Sequence, residues 1–225
     1  PSLVGGQKID YIEKIGLQPI ISFDVEDVKC YSSGGVVHHN SGKTIAGGYE
    51  LTLHLTGQYP EWWKGRRFDR PIRAWACGTT GQTVRDVLKR KLLGPINDMG
   101  TGLIPGDCIV ETRKKAGNVP DTIETVYVKH VTGGISTVGL KSYEQGRKAY
   151  EGDEIDVALL DEEPPVDIYT ECLTRTMTTQ GIVMLLFTPL QGLSDTVLLF
   201  MPGGHIPSAI GRRFVFPATW QDAPP

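Results

Sequence analysis

The sequence predicts an α/β fold: a largely parallel sheet built on a phosphate-binding loop (P-loop), with a small all-β piece ahead of it. Three observations carry that prediction. Gly42-Lys43-Thr44 has the form of the end of a G-x-x-x-x-G-K-[ST] loop and runs into a helical pattern from Lys43 to about Thr56. Ile155-Asp-Val-Ala-Leu-Leu160 is an apolar run closed by Asp161-Glu162-Glu163. That is the pattern of a parallel strand buried on both faces, with carboxylates emerging at its C-terminal end. Ahead of Ser41 there are only short β-type runs separated by turn residues.

Composition narrows the class. With 225 residues, 40% hydrophobic and 22% charged, the chain has the make-up of a globular domain of ordinary size plus a small appendage. No apolar run approaches the roughly 18 residues of a membrane span, and no secretory leader opens the chain. The first methionine is Met99, as expected of a fragment. Cys30, Cys77, Cys108 and Cys172 show no C-x-x-C spacing, which fits a reducing compartment rather than a disulfide frame or zinc site. A net charge of −3 gives no global sign of nucleic-acid binding.

Residues 1–40 read as a lead-in, strands at Lys8–Ile15 and Ile20–Val25, a turn at Ser32-Ser-Gly-Gly35 and a last short strand, Val36–His39. Three such strands cannot bury a useful core alone, so this segment needs other chain to fold. Its end carries chemistry. The first glycine of a P-loop belongs five residues before Gly42, and Val37 stands there. What interrupts the loop is His38-His39-Asn40. The Asn40 side-chain nitrogen can attack its own main-chain carbonyl, closing a succinimide and releasing the Asn40–Ser41 bond. His39 is placed to protonate the leaving amine or to polarise the carbonyl, and the Ser41 hydroxyl can accept an acyl group.

Val36-Val-His-His-Asn40 before Ser41, with Phe23-Asp-Val-Glu-Asp-Val-Lys-Cys-Tyr-Ser-Ser-Gly-Gly35 upstream, resembles the C-terminal end of an intein. Lys29 and Ser22 depart from the motif, where many inteins have histidine and aspartate. The resemblance implies that 1–40 is the C-terminal piece of an all-β intein (Hint) fold. An N-terminal intein fragment, carrying its own flank, would be its partner. Splicing would then join Ser41-Gly-Lys-Thr44 to an upstream G-x-x-x and complete the P-loop.

From residue 41 onward the elements follow in order. Helix 43–56 would turn its N-terminal amides toward phosphate; in such a loop Lys43 contacts the β- and γ-phosphates and Thr44 holds magnesium. Tyr59–Pro71 is a loop with two tryptophans interleaved with arginines, open to two readings: a base- and phosphate-contacting loop or a packed surface loop. A strand at Ile72–Cys77 and a helix at Thr83–Leu93 come next. Strands follow at Asp107–Arg113, Thr122–His130 and Ile135–Leu140, then a polar connector, Lys141–Arg147. Arg147 reads either as a phosphate-facing arginine or as a surface residue. At the end of strand 155–163, Asp161 would share the magnesium with Thr44, and Glu162 would orient or deprotonate the attacking water. Strand Gly181–Pro189 ends at Thr188, placed to sense the γ-phosphate. A helix at Ser194–Phe200 and a strand at Arg213–Phe216 close the chain.

Trp62-Trp-Lys-Gly-Arg-Arg-Phe-Asp-Arg-Pro71, Lys141-Ser-Tyr-Glu-Gln-Gly-Arg147, Leu160-Asp-Glu-Glu-Pro-Pro165 and Phe187-Thr-Pro189 occur in the order of a phage terminase large subunit. The 41–225 part resembles the ATPase domain of that family. The resemblance implies a RecA-like (ASCE) P-loop sheet with ATP and Mg2+ as cofactors. It also implies double-stranded DNA as substrate, a portal and a small terminase subunit as partners, a homo-oligomeric ring, and the host cytoplasm as location, with no membrane partner. The family's C-terminal nuclease lies beyond this sequence. The alternative to splicing is a P-loop DNA-translocating ATPase whose N-terminal β extension stays in place.

Overall fold

In a computed structural model of the chain, the residues described are 30–33, 36–39, 42–114, 123–188 and 192–200. They fall into two units, 44–187 and a second unit formed by 1–43 with 188–225. The strands expected at 8–15, 20–25 and 213–216 lie outside the described residues.

In the second unit, β1 (Cys30–Ser33) and β2 (Val36–His39) pair antiparallel in a two-stranded sheet of their own, Cys30 opposite His39. The strand expected at Val36–His39 is present, whereas Ser32 and Ser33, read as part of a turn, belong to β1, which the sequence reading did not anticipate. Helix α5 (Asp195–Phe200) also belongs to this unit.

The larger unit is built on a six-stranded sheet in the order β4-β5-β6-β3-β7-β8. The strands β3 (Arg73–Gly78), β6 (Ile135–Ser142), β7 (Val157–Asp161) and β8 (Ile182–Leu186) run parallel. β4 (Ile109–Lys114) and β5 (Ile123–Lys129) add an antiparallel pair at one side. This is a mixed α/β sheet with the parallel centre expected. Helix α1 (Lys43–Thr56) has the predicted bounds. The helix predicted at 83–93 is present in three pieces: α2 (Gly81–Thr83), a π-helical stretch (Val84–Lys89) and α3 (Arg90–Leu93).

Each face of the sheet buries its own side chains because strand residues alternate. On one face Ala74 and Ala76 of β3 and Val157 and Leu159 of β7 meet Leu51 and Leu55 of α1 and Val84 and Leu88. Small residues let α1 approach closely. A Cβ on Gly47 would lie 2.3 Å from Leu186 Cδ1 and 2.9 Å from Leu159 Cδ1. On the other face Trp75 packs edge-on to the buried Tyr150 at 5.6 Å.

Helix α4 (Val166–Met177) has no counterpart in the sequence reading. Its residues are rich in threonine and β-branched side chains, which favour helices poorly. Two facts hold it. Ile168, Tyr169 and Cys172 are buried, and Thr170, Thr174 and Thr176 each return their hydroxyl to the carbonyl four residues back.

Candidate functional site

The informative place is the C-terminal end of β7. Asp161 is 3% exposed there, and its Oδ1 accepts a hydrogen bond of 2.9 Å from Thr44 Oγ1, 117 positions earlier in the chain. The pairing anticipated from two distant motifs is therefore made by contact. Thr44 stands in the first turn of α1, which contains no acidic side chain. Gly42, just before it, has φ +73°, a left-handed conformation that glycine adopts at little cost.

The backbone after Asp161 is strained. Glu162 has φ 64°, a region that non-glycine residues rarely occupy outside turns and active sites. It is held on both sides. The Glu162 N–H donates to Leu186 O at 2.9 Å. The Tyr143 hydroxyl donates to the carbonyls of Asp161 (3.0 Å) and Glu162 (3.2 Å). Burial pushes the Tyr143 hydroxyl far above its ordinary value, so it remains a donor. Sequence reasoning gave Tyr143 no role; a tyrosine in a polar connector carries no signal of the carbonyls it will meet. Glu162 itself is exposed.

In the other unit, Lys43 Nζ donates to Thr188 Oγ1 at 2.9 Å, so a motif lysine and the strand-end threonine are joined directly. His39 is described only as the end of β2. Asn40 and Ser41 lie outside the described residues.

Two open readings are weighted by their contacts. Arg147 donates to the buried carboxylate of Glu171 at 3.0 Å, which Arg175 also holds at 2.7 Å. That tie anchors the 147–150 turn to α4. In the Trp/Arg loop, Trp63 Nε1 donates to Arg66 O at 2.9 Å, and Arg66 lies 4.6 Å over the Phe68 ring. Arg67 reaches the carbonyls of Pro60 and Trp63, and Arg70 pairs with Asp156. The arginines staple the loop to the domain, as in the packed-loop reading, while Trp62 is 63% exposed.

Cys77, Cys108 and Cys172 are free thiols. Among the described residues no group of three or more His, Cys, Asp or Glu side chains is arranged to hold a metal. A hydroxyl and a carboxylate converging at 2.9 Å do suit Mg2+. That ion takes hard oxygen ligands and draws most of them from water and phosphate rather than from the protein. None of the described helices is long and apolar enough to cross a membrane.

The model of the family described as terminase large subunit, T4likevirus-type, N-terminal, matches residues 39–201. The chain belongs to this family. The terminase large subunit of Salmonella phage P22 is 37% identical over 193 residues, an alignment covering 77% of this chain and 38% of the P22 protein. The chain thus spans about two fifths of that relative's length. No solved structure matches it. The terminase match begins at residue 39, so residues 1–38 fall outside it.

Proposed function

We propose that this terminase domain is the ATP-hydrolysing part of a motor that packages double-stranded DNA. The observation that carries the reading is the Thr44–Asp161 contact at the C-terminal end of a buried parallel strand, beside the strained Glu162. Ligands bind at that end of open α/β sheets. Ser41, Gly42 and Lys43 bind the phosphates, and Thr44 and Asp161 hold Mg2+. Bound there, Mg2+ neutralises phosphate charge. Glu162 orients the attacking water and takes its proton, and Thr188 passes the state of the γ-phosphate onward through its link to Lys43. By kinship the working partners are a portal, a small terminase subunit and further copies in a ring, in the cytoplasm of a phage-infected host. The test is ATP turnover with and without DNA. Glu162→Gln should reduce turnover about 100-fold or more while keeping ATP binding; unchanged turnover would remove Glu162 from the mechanism.

In this reading residues 1–40 are an N-terminal β extension and 41–225 the ATPase part. A second reading is motivated by the sequence pattern around Asn40 alone. The family match starts at residue 39, two residues before Ser41, and the P-loop pattern lacks its first glycine at Val37. Residues 1–40 would be an intein C-terminal segment that leaves by Asn40 cyclisation, with His39 as acid and Ser41 as acyl acceptor, joining Ser41 to an upstream segment. Incubation with an N-terminal intein fragment should then give a ligated product and a released 1–40 peptide. Asn40→Ala should abolish release; release that continues in this variant, or no product from the unaltered chain, would leave the permanent extension.

A further inference from the structure

With a net charge of −3, the chain can hold a polyanion only through a local surface. Two cation-rich stretches of the described chain contrast. In the helical stretch 85–91, Arg85 is paired with Asp86 at 2.7 Å and Lys89 is 3% exposed. In the loop 59–70, between α1 and β3, four cations accompany two carboxylates. Arg70 is paired with Asp156, and Asp69 lies close enough to Arg70 and His130 to act on both. Lys64, Arg66 and Arg67 remain, all three exposed.

The bonds that fix Arg66 and Arg67 do not neutralise them. Arg66 donates through Nη1 to Gln180 O and through Nη2 to Thr179 O at 3.4 Å, with its guanidinium over the Phe68 ring. Arg67 Nη2 donates to the carbonyls of Pro60 (3.3 Å) and Trp63 (3.1 Å), and the guanidinium faces the Tyr59 ring. Carbonyls and ring faces hold a cation in place without cancelling its charge. Among the described residues neither these arginines nor Lys64 forms an ion pair with a carboxylate. Packing and recognition are therefore compatible in this loop, because a cation already fixed loses little freedom on meeting a phosphate.

The loop is also locked to α1. His54, fully buried in the last turn of the helix, is surrounded by Phe68, Tyr59 and Trp63, with ring centres 5.2, 5.7 and 6.0 Å away. Tyr59 Oη lies 3.0 Å from His54 Nδ1 and accepts from the Phe68 N–H at 2.9 Å. On this platform Trp62 stands 63% exposed, two positions from Lys64. The Arg70–Asp156 pair sets the loop at the N-terminal end of β7, opposite the end that carries Asp161. Helix α1, 14 residues and about 21 Å long, separates the two ends. The charge of the loop thus has no use at the Thr44–Asp161 site.

We propose that loop 59–70 is the surface by which this domain holds duplex DNA, with Lys64, Arg66 and Arg67 on backbone phosphates and the Trp62 indole against the adjoining sugar. Fixed, uncompensated cations suit a regular polyanion, and phosphate contacts of this kind position a protein on a duplex without reading its sequence. The inference rests on the reading of this chain as part of a DNA-packaging motor.

The test follows the fluorescence anisotropy of a labelled duplex of about 20 base pairs with the full chain, from about 50 to 200 mM salt. Three phosphate contacts predict an affinity loss of about 40-fold across that range, which Lys64→Gln should reduce to about 12-fold. Trp62→Ala should weaken binding about fivefold or more at every salt concentration and leave the salt dependence unchanged. Among the described residues neither side chain hydrogen-bonds to the domain, so both variants should keep the melting temperature of the unaltered chain. Arg90→Gln, in the other cation-rich stretch, should change nothing. Absence of duplex binding at the lowest salt, a salt dependence untouched by Lys64→Gln, or an equal effect of Arg90→Gln would overturn the proposal. So would equal competition by polyglutamate of matched charge, which would give the loop to an acidic protein instead. Lys64-dependent binding in a chain without ATP turnover would uphold the loop and leave the ATPase reading to fall alone. Turnover that Glu162→Gln abolishes, with no duplex binding at the loop, would sink the loop and spare the ATPase.

Discussion

Strand β7 has a buried aspartate at each end, and the two are treated differently. Asp156, immediately before the strand and 2% exposed, is clamped. Arg70 reaches both its oxygens, Nη2 to Oδ1 at 2.5 Å, and the Arg73 N–H adds a bond of 2.9 Å to Oδ2. Asp161, the last residue of the strand, has a neutral hydroxyl at 2.9 Å and a left-handed residue beside it. A carboxylate matched by a guanidinium and a backbone amide is spent on architecture. Under the proposed function, the one that meets the Thr44 hydroxyl beside strained backbone is the one that would hold a cation. The lesson is that burial of an acid does not mark function; the partner it is given does.

The largest effect should come from Asp161→Asn. The amide keeps the shape and can still accept from Thr44, so melting should stay within about 2 °C. ATP turnover should fall by about two to three orders of magnitude, the scale of losing a preorganised charge in a site. Equal loss of stability and activity would mean that Asp161 is as architectural as Asp156, and the contrast would collapse.

Arg70→Ala is the converse. It leaves the Asp156 carboxylate buried with only backbone donation, at a cost of about 1–3 kcal/mol, discounted because the arginine is half exposed. At roughly 2–4 °C per kcal/mol for a chain of this size, the thermal midpoint should drop measurably. Turnover per folded molecule should not change. A selective loss of turnover in Arg70→Ala would break the assignment of that end to structure.

Tyr143→Phe falls between the two. Its hydroxyl ties down the carbonyls of Asp161 and Glu162, so removal should cost about 0.5–1.5 kcal/mol in stability. The strained Glu162 should relax with it. The expected signature is a lower maximal rate with an unchanged Michaelis constant for ATP. An effect on stability alone would make Tyr143 a plain core residue.

Much of this was legible in the sequence, for identifiable reasons. Periodicity gave α1 close to its bounds, and the apolar run within 155–163 gave β7, because each pattern is set by burial. The Thr44–Asp161 meeting followed from two motifs whose chemistry needs each other. Helix α4 was not legible, because its threonines disfavour a helix that only packing and back-bonded hydroxyls sustain. Tyr143 and the left-handed Glu162 were invisible for another reason. A backbone conformation and the donor that braces it depend on neighbours in space, and nothing at 143 or 162 in sequence announces them. The staple formed by Arg66, Arg67 and Arg70 was one of two readings, and only the contacts separated them.

The smallest effect sharpens the contrast through pH. His130 is 1% exposed and lies just after β5, where its own N–H meets Gly134 O, at the same end of the sheet as Asp156. Its Nδ1 is 2.8 Å from Thr132 Oγ1. Burial holds its affinity for a proton below the ordinary histidine value, with Asp69 pulling weakly the other way. Above about pH 6.5 neither the folded nor the unfolded chain protonates this ring, so it adds no pH dependence. As pH falls below that, the unfolded chain takes a proton that the folded chain resists. Stability is therefore lost toward the depressed folded value, at no more than about 1.4 kcal/mol per pH unit. Urea unfolding at pH 7.5 and 5.5 should show this acid loss in the unaltered chain and a shallower one in His130→Gln. ATP binding at pH 7.5 should be the same in both, because the ring belongs to the structural end. An acid loss of equal slope in the variant would remove His130 as its source.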